Sequence, residues 1–397
     1  MLKSSRLLWG IGILVFVGLV GVVVVNLPSS NKRQAADGLR EGSSDLQKFD
    51  NSLTFSNVTL EQADEQGKLW WKVNAAKAIY SKDKKVATVE NPEGELFQDG
   101  KAVFKLKAKK GEVIQDGKSI VLRGDIIATD LRDGTVLKGK EIEWKPQNDK
   151  LFVRKQFVAE QKQIKVVGEE GRFTSRKQEA EVIGKVIAEM KETAKAKTPN
   201  LRMQTKQLKW FMQQQRIESQ QPVQINRLAN GKVTDQATAK QGIYNLKDQI
   251  ATLKNNAQVF VPAQNIQAKS NELVWYIKQQ LVEAKQPITM VETAKKVTLT
   301  GNQGQLNIGQ NTATLTGNVR GLSLSNQAQV SSDNLTWFLT NQSFEANGNV
   351  KYRQTNPPFN LVGTKASGTI QNQQVKITGG PEADNRVVTE IVPNFAR

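Results

Sequence analysis

The chain of 397 residues contains no cysteine. That absence excludes disulfides, thiolate nucleophiles, cysteine metal sites and a lipidated N-terminal cysteine, so stability has to come from packing. Histidine is absent as well, which removes the usual general base and the commonest metal ligand. Catalysis is therefore not expected, nor is a metal or any other cofactor. Acidic residues are in short supply, 38 against 56 basic ones, for a formal net charge of +18. Such a balance points to an anionic partner. The excess is spread along the chain rather than gathered in an arm, and aromatic residues are not interleaved with basic clusters, so nucleic acid is not an expected partner. The 38% hydrophobic and 24% charged residues are those of a chain that buries a core.

Only one long apolar run is present. Leu7 to Val25 holds no charged residue, and at ~1.5 Å per residue a helix there reaches about 28 Å, close to the thickness of a bilayer core. Lys3 and Arg6 precede it, which predicts a cytoplasmic N-terminus and everything after Pro28 on the far side. A cleaved signal peptide is the rival reading. Val22-Val23-Val24-Val25-Asn26 lacks the small residues of a cleavage site, which favours a retained single-pass anchor over residues 1–27. Residues 28–48 are polar and without apolar period, as a tether would be.

From Phe49 the pattern changes to short apolar alternations cut by evenly spaced turn dipeptides, Asp99-Gly100, Asp116-Gly117 and Asp133-Gly134. Asp-Gly is a preferred hairpin turn, so antiparallel strands are expected. Phe104 and Leu106 share one parity and Lys105, Lys107 and Lys109 the other, giving one apolar and one basic strand face.

The unit then recurs. Gly111, Gly124 and Trp144 are followed in the same order by Gly171, Gly184 and Trp210, and later by Gly304, Gly317 and Trp337. Gly242 and Trp275 fit with Asn255 in the second glycine's place, and Gly368 with Gly379-Gly380 begins a partial fifth copy. The tryptophans recur at intervals of roughly 65 residues, so each unit buries its apolar face by stacking on the next. Glycines at fixed points in strands predict bulges or bends that coil two sheets into a roll. The expected fold is all-β, an elongated roll of antiparallel hairpin repeats preceded by one transmembrane helix. A change toward Gln, Asn and Thr after Thr198 divides it into residues 49–197 and 198–397, two rolls or one continuous body.

Three local features need separate weighing. Ile183, Val186, Ile187, Met190 and Ala194 stand at helical spacing, but the repeat register assigns that stretch to a strand. Gly111 to Ser119 is one residue too long for a phosphate-binding loop and lies on an expected hairpin. Glu169-Glu170 is a conspicuous acidic pair, yet neighbours in a strand face opposite ways and do not converge.

Leu53 to Leu60, Gln66 to Val73 and Asn91 to Gly100 resemble the opening of the LptC family, and Ala108-Lys109-Lys110-Gly111 with Leu122-Arg123-Gly124-Asp125-Ile126 is similar to a hairpin signature that this family shares with LptA. The resemblance covers residues 1 to about 155, and the repeats extend it as an LptA-like second half. It implies a twisted, open β-jellyroll in the periplasm, tethered to the inner membrane, that passes lipopolysaccharide outward. The implied partners are lipopolysaccharide, the inner-membrane ABC transporter subunits, and an LptA-like or outer-membrane LptD-like jellyroll joined by edge-strand addition; a homodimer through the same edges is a further candidate. Alternation nominates Leu69, Trp71, Val73, Phe104, Leu106, Leu122, Ile126 and Trp144 as the apolar lining of the lipid groove, against ordinary core packing as the bland reading. The edge strands would be Leu53, Phe55, Val58 and Leu60 at one end and Val387, Val388, Thr389 and Ile391 at the other. The rival function is an envelope scaffold or adhesion β-solenoid that binds anionic polymer and carries no lipid.

Overall fold

In a computed structural model of the protein, residues 53–64, 67–114, 117–193, 195–196, 200–324, 327–355, 358–369, 374–379 and 388–391 are described. Among them the chain is all β, with 28 strands in one antiparallel sheet and two short 3₁₀ turns, Pro146–Asn148 and Pro262–Gln264. The expected anchor and tether, and Val387 of the expected last strand, lie outside the described residues.

The strands do not form a simple meander, because each long strand is folded in half. In Ser119–Asp130 the register breaks between Arg123 and Ile126, where Gly124 and Asp125 both take left-handed backbone, φ 77° and 45°. The strand's first half then pairs with Lys110–Ile114 and its second half with Lys101–Lys107, two short strands that do not pair with each other. The same left-handed pair occurs at Lys155–Gln156, Gly184–Lys185, Asn255–Asn256, Gly317–Asn318 and Gly348–Asn349. Left-handed backbone is easiest for glycine and next easiest for asparagine. This is why Asn255 stands in for the second glycine of the repeat. The first glycine does something else. Gly171 is not left-handed; it leaves room for the Phe157 ring, which a Cβ would overlap.

Stacked fold lines make a spine, and the strand halves on either side of it make two facing walls. One wall carries Trp144, Trp210, Trp275 and Trp337, each two residues before the turn that ends its strand (Val136–Lys145, Leu201–Phe211, Ile266–Tyr276, Ala328–Phe338). Three of them sit beside an alanine of the neighbouring strand, Ala180, Ala251 or Ala313. A wide indole next to a small side chain fills the layer without a void.

The stretch with helical spacing is, as far as Met190, the strand Glu179–Met190; Ala194 lies outside the described residues. Its inward residues are Ala180, Val182, Val186, Ala188 and Met190. The left-handed pair Gly184–Lys185 separates Val182 from Val186 by four positions, so a folded strand imitates a helix at that point. Pairing also continues through the composition change at Thr198, since Glu179–Met190 and Leu201–Phe211 are partners along their length. One contiguous apolar cluster runs between the walls from Trp71 to Ala366.

Candidate functional site

Seven of the eight nominated lining residues face that interior: Trp71, Val73, Phe104, Leu106, Leu122, Ile126 and Trp144 are buried in the cluster, while Leu69 is half-buried at the start of Leu69–Tyr80. Leu122 and Trp144 belong to the tryptophan wall and the others to the opposite wall, as their strand partners show. The walls touch here. Phe104 packs on Phe173 of the tryptophan wall with ring centroids 5.6 Å apart. Room for a guest at this level therefore requires the walls to part.

The outward lysines are paired. Lys105 meets Glu95 at 3.1 Å, Lys107 meets Glu93 at 2.7 Å and Lys109 meets Asp125 at 2.6 Å. The basic stripe expected from alternation is thus an exposed, charge-balanced face whose ion pairs add little stability.

Opposite the spine, the strand ends form a mouth, and side chains bridge it at several levels. The Trp71 indole reaches from its own wall to the opposite tip and lies over Gly117, where a Cβ would overlap the ring. Gly117 is left-handed, φ 87°, so both backbone and contact require glycine there. At the next level Asp130, fully buried, receives two hydrogen bonds from the Arg132 guanidinium, at 2.8 and 2.6 Å. Arg132 also donates across the mouth to the Ser175 carbonyl at 2.6 Å. Gln178 Nε2 donates from the tryptophan wall to Asp130 and Asp133 at 3.2 and 3.0 Å, and Gln178 Oε1 accepts from Gln213 at 3.0 Å. Burial holds the nearby Asp149 carboxyl above its ordinary range, against the Arg176 N–H that it accepts at 2.7 Å and the charges of Arg176 and Arg132. Further along, Gln249 Nε2 donates to the Glu192 carbonyl at 3.4 Å and Gln264 Nε2 to Asn311 Oδ1 at 2.5 Å.

The tryptophan-wall side of the mouth is a stack of turns. The N–H groups of Met212, Leu246, Ile277, Ile308 and Leu339 donate to the carbonyls of Gln178, Gln215, Gln249, Gln280 and Asn311, each on the turn before, at 2.8–3.1 Å. Each turn ends on a left-handed amide residue: Gln178, Gln215, Gln249, Gln280, Asn311 or Gln342. Neither the clasp that Asp130, Arg132, Ser175 and Gln178 form across the mouth nor this stack was among the nominated residues, although both leave a trace in the sequence. The trace of the stack is an aliphatic residue three positions before Gln or Asn, as in Met212-Gln-Gln-Gln215 and Leu339-Thr-Asn-Gln342. The trace of the clasp is Asp130 itself, in the slot where the matching strands carry Met190 and Val261.

At the ends, Leu53–Ala63 pairs only with Leu69–Tyr80 among the described residues, which leaves its other edge open. Leu53 and Phe55 are exposed there, while Val58 and Leu60 pack inward. Phe55 stands edge-on to Tyr80 at 5.8 Å. At the far end Val388, Thr389 and Ile391 of Val388–Ile391 pair with Val362, Leu361 and Phe359. Gln374–Thr378, not foreseen as part of that edge, pairs with the other half of the same strand.

The sequence matches the family of lipopolysaccharide-assembly, LptC-related proteins over residues 13–155, 135–261 and 263–381, three successive matches along the chain. Among solved structures the chain is similar to LptH of Pseudomonas aeruginosa, the LptA-homologous periplasmic component of the conserved lipopolysaccharide transport device, with 17% identity over 33% of this chain and 97% of that one and a TM-score of 0.30. No curated protein matches the chain.

Proposed function

Because the chain belongs to the lipopolysaccharide-assembly, LptC-related family, we propose that it is an inner-membrane-anchored periplasmic bridge that takes lipopolysaccharide from the membrane transporter and shields its acyl chains between the two walls. The observation that carries this reading is the apolar interior, continuous from Trp71 to Ala366. Each methylene in water costs about 0.8 kcal/mol, so a chain of roughly a dozen carbons costs on the order of 10 kcal/mol to expose. A carrier has to keep that surface covered along its whole length, while the charged headgroup stays in water at the mouth.

Magnitudes favour an interior that opens at the mouth. Backbone ladders hold the spine, whereas the mouth is bridged by side-chain hydrogen bonds such as Arg132 to Ser175 and Gln264 to Asn311. Each is worth about 0.5–1.5 kcal/mol net when neutral and about 1.5–3 when charged. Burying one acyl chain therefore outweighs the bridges at any one level, and the walls part without loss of strand pairing. In this reading Leu69, Trp71, Val73, Phe104, Leu106, Leu122, Ile126 and Trp144 meet the chains in the first half of the roll.

The open edge at Leu53–Ala63 faces the transporter, and the edge at Val388–Ile391 receives an LptA-like or LptD-like jellyroll or a second copy. The repeats after Thr198 lengthen the bridge. Purification of the full chain from membranes, followed by quantification of bound lipid, separates carriage from scaffolding. Carriage predicts co-purified lipopolysaccharide; an anionic polymer bound without lipid would instead establish the envelope scaffold.

A further inference from the structure

The excess positive charge of the chain is not balanced alike over its outer surface. On the wall opposite the tryptophans, the outward lysines of the first half, Lys105 and Lys107, each meet a carboxylate. Arg202 still pairs with Glu189, at 2.8 Å. Beyond it the carboxylates stop: from Arg202 to Arg353 no acidic side chain among the described residues points outward from this wall. Glu218, Glu272, Glu283 and Glu345 stand on the outer face of the tryptophan wall, where Glu272 and Glu283 keep company with Lys254 and Tyr276. Asp235 and Glu292 are buried, and Asp248 and Asp333 sit in a turn and at a fold line. The cations remain. Lys269, Arg320, Lys351 and Arg353 are exposed and form no ion pair among the described residues.

Between these cations the face is built of amides and hydroxyls. Strand pairing carries one row from Gln204 through Gln258 and Lys269 to Thr300, Arg320 and Lys351, one residue on each of ten adjacent strands. At ~4.8 Å per strand the row is about 43 Å long. Some of the amides bond to one another, Gln267 Nε2 to Gln258 Oε1 at 3.0 Å and Gln236 Nε2 to Asn226 Oδ1 at 3.2 Å. Such bonds orient the amides and leave each with a further N–H or lone pair to offer. Large apolar side chains are scarce on this face, with Leu322 exposed and Phe260 half-buried.

We propose that this outer face binds an extended acidic polysaccharide laid along the row. The spaced cations call for a partner with anionic groups at intervals, and the absence of carboxylates between them removes repulsion along its path. The amides and hydroxyls exchange hydrogen bonds with sugar hydroxyls, and a row that repeats at every strand matches a polymer that repeats along its own axis. Single-stranded nucleic acid would instead require aromatic platforms for stacking, and a lipid surface would require exposed apolar side chains to insert. The face lies outside the roll, so the proposal is independent of acyl carriage and stands or falls apart from it.

The test measures binding of the full chain, in phosphatidylcholine nanodiscs, to polygalacturonate, with polyglutamate as a polyanion without sugars and dextran as a sugar polymer without charge. Polygalacturonate is expected to bind more tightly than polyglutamate, and dextran not to bind. Lys269→Gln, Arg320→Gln and Lys351→Gln combined should weaken polygalacturonate binding roughly tenfold, the expectation for three exposed charge contacts. Thr289→Val with Thr300→Val, which keeps branched side chains suited to strands, should weaken polygalacturonate about threefold, in the range of one or two hydrogen bonds, and leave polyglutamate unchanged. Lys105→Gln with Lys107→Gln should change neither, and co-purified lipopolysaccharide should be the same in every variant. Equal affinity for the two polyanions, or an equal response to the Lys105 and Lys107 changes, would overturn the site and leave only unspecific charge attraction. Binding to phosphatidylglycerol vesicles but not to polygalacturonate, lost in the triple variant, would overturn it in favour of a membrane surface.

Discussion

Trp275→Ala should destabilise the protein by about 3–5 kcal/mol, the range for removing a large buried aromatic whose cavity does not collapse. Trp275 is fully buried, between Ala251 and Val282 on its neighbouring strands. Neither neighbour has the volume to fill the gap. The loss should also be local. In a stacked array each level rests on its neighbours, so damage at one level weakens adjacent levels before distant ones. Hydrogen exchange should therefore accelerate in Ile250–Val261, Ile266–Tyr276 and Leu281–Ala284 and stay slow in Ser119–Asp130. Uniform acceleration along the chain would mean that the roll behaves as one cooperative globule instead of stacked levels.

A second large effect is expected at the clasp. Arg132→Ala leaves the fully buried Asp130 carboxylate without its bidentate partner, and stranding a buried charge costs about 3–5 kcal/mol. Because Arg132 is itself about a quarter exposed, the lower end of that range applies. The second change, Asp130→Val, should recover most of the loss, since Val261 occupies the matching slot of a later copy. A chemical-denaturation cycle over the two single variants and the double variant measures this directly. Additive losses would show that the two side chains are uncoupled and that Gln178 and the Arg132 backbone N–H, which also donate to Asp130, hold the carboxylate.

What the sequence made legible was local. The Asp99-Gly100 turn follows from two left-handed residues in succession, φ 51° and 75°, a demand that few dipeptides meet. The tryptophan register follows from repetition, because every copy solves the same packing problem beside a small neighbour. The fold line in the long strands was legible as a bend where glycine marks it, at Gly124, Gly184 and Gly317, and where Asn255 stands in glycine's place, but not at Lys155–Gln156, whose residues carry no such signal. The helical appearance of Ile183 to Met190 has that origin. The clasp was hidden for another reason. Asp130, Ser175 and Gln178 come together only when the two walls face each other, and strand periodicity says nothing about which turns meet across a mouth. The pairing of Lys105, Lys107 and Lys109 with acidic residues on adjacent chain segments was hidden in the same way.

The most direct test of acyl carriage places photoreactive amino acids, one at a time, at Trp71, Phe104 and Leu122 on the inner faces and at Lys105 and Lys107 on the outer face of the full chain in living cells. Lipopolysaccharide adducts at the three inner positions, with none at the two lysines, are the predicted result. Equal yields on both faces, or adducts at the lysines alone, would contradict the carriage of acyl chains between the walls.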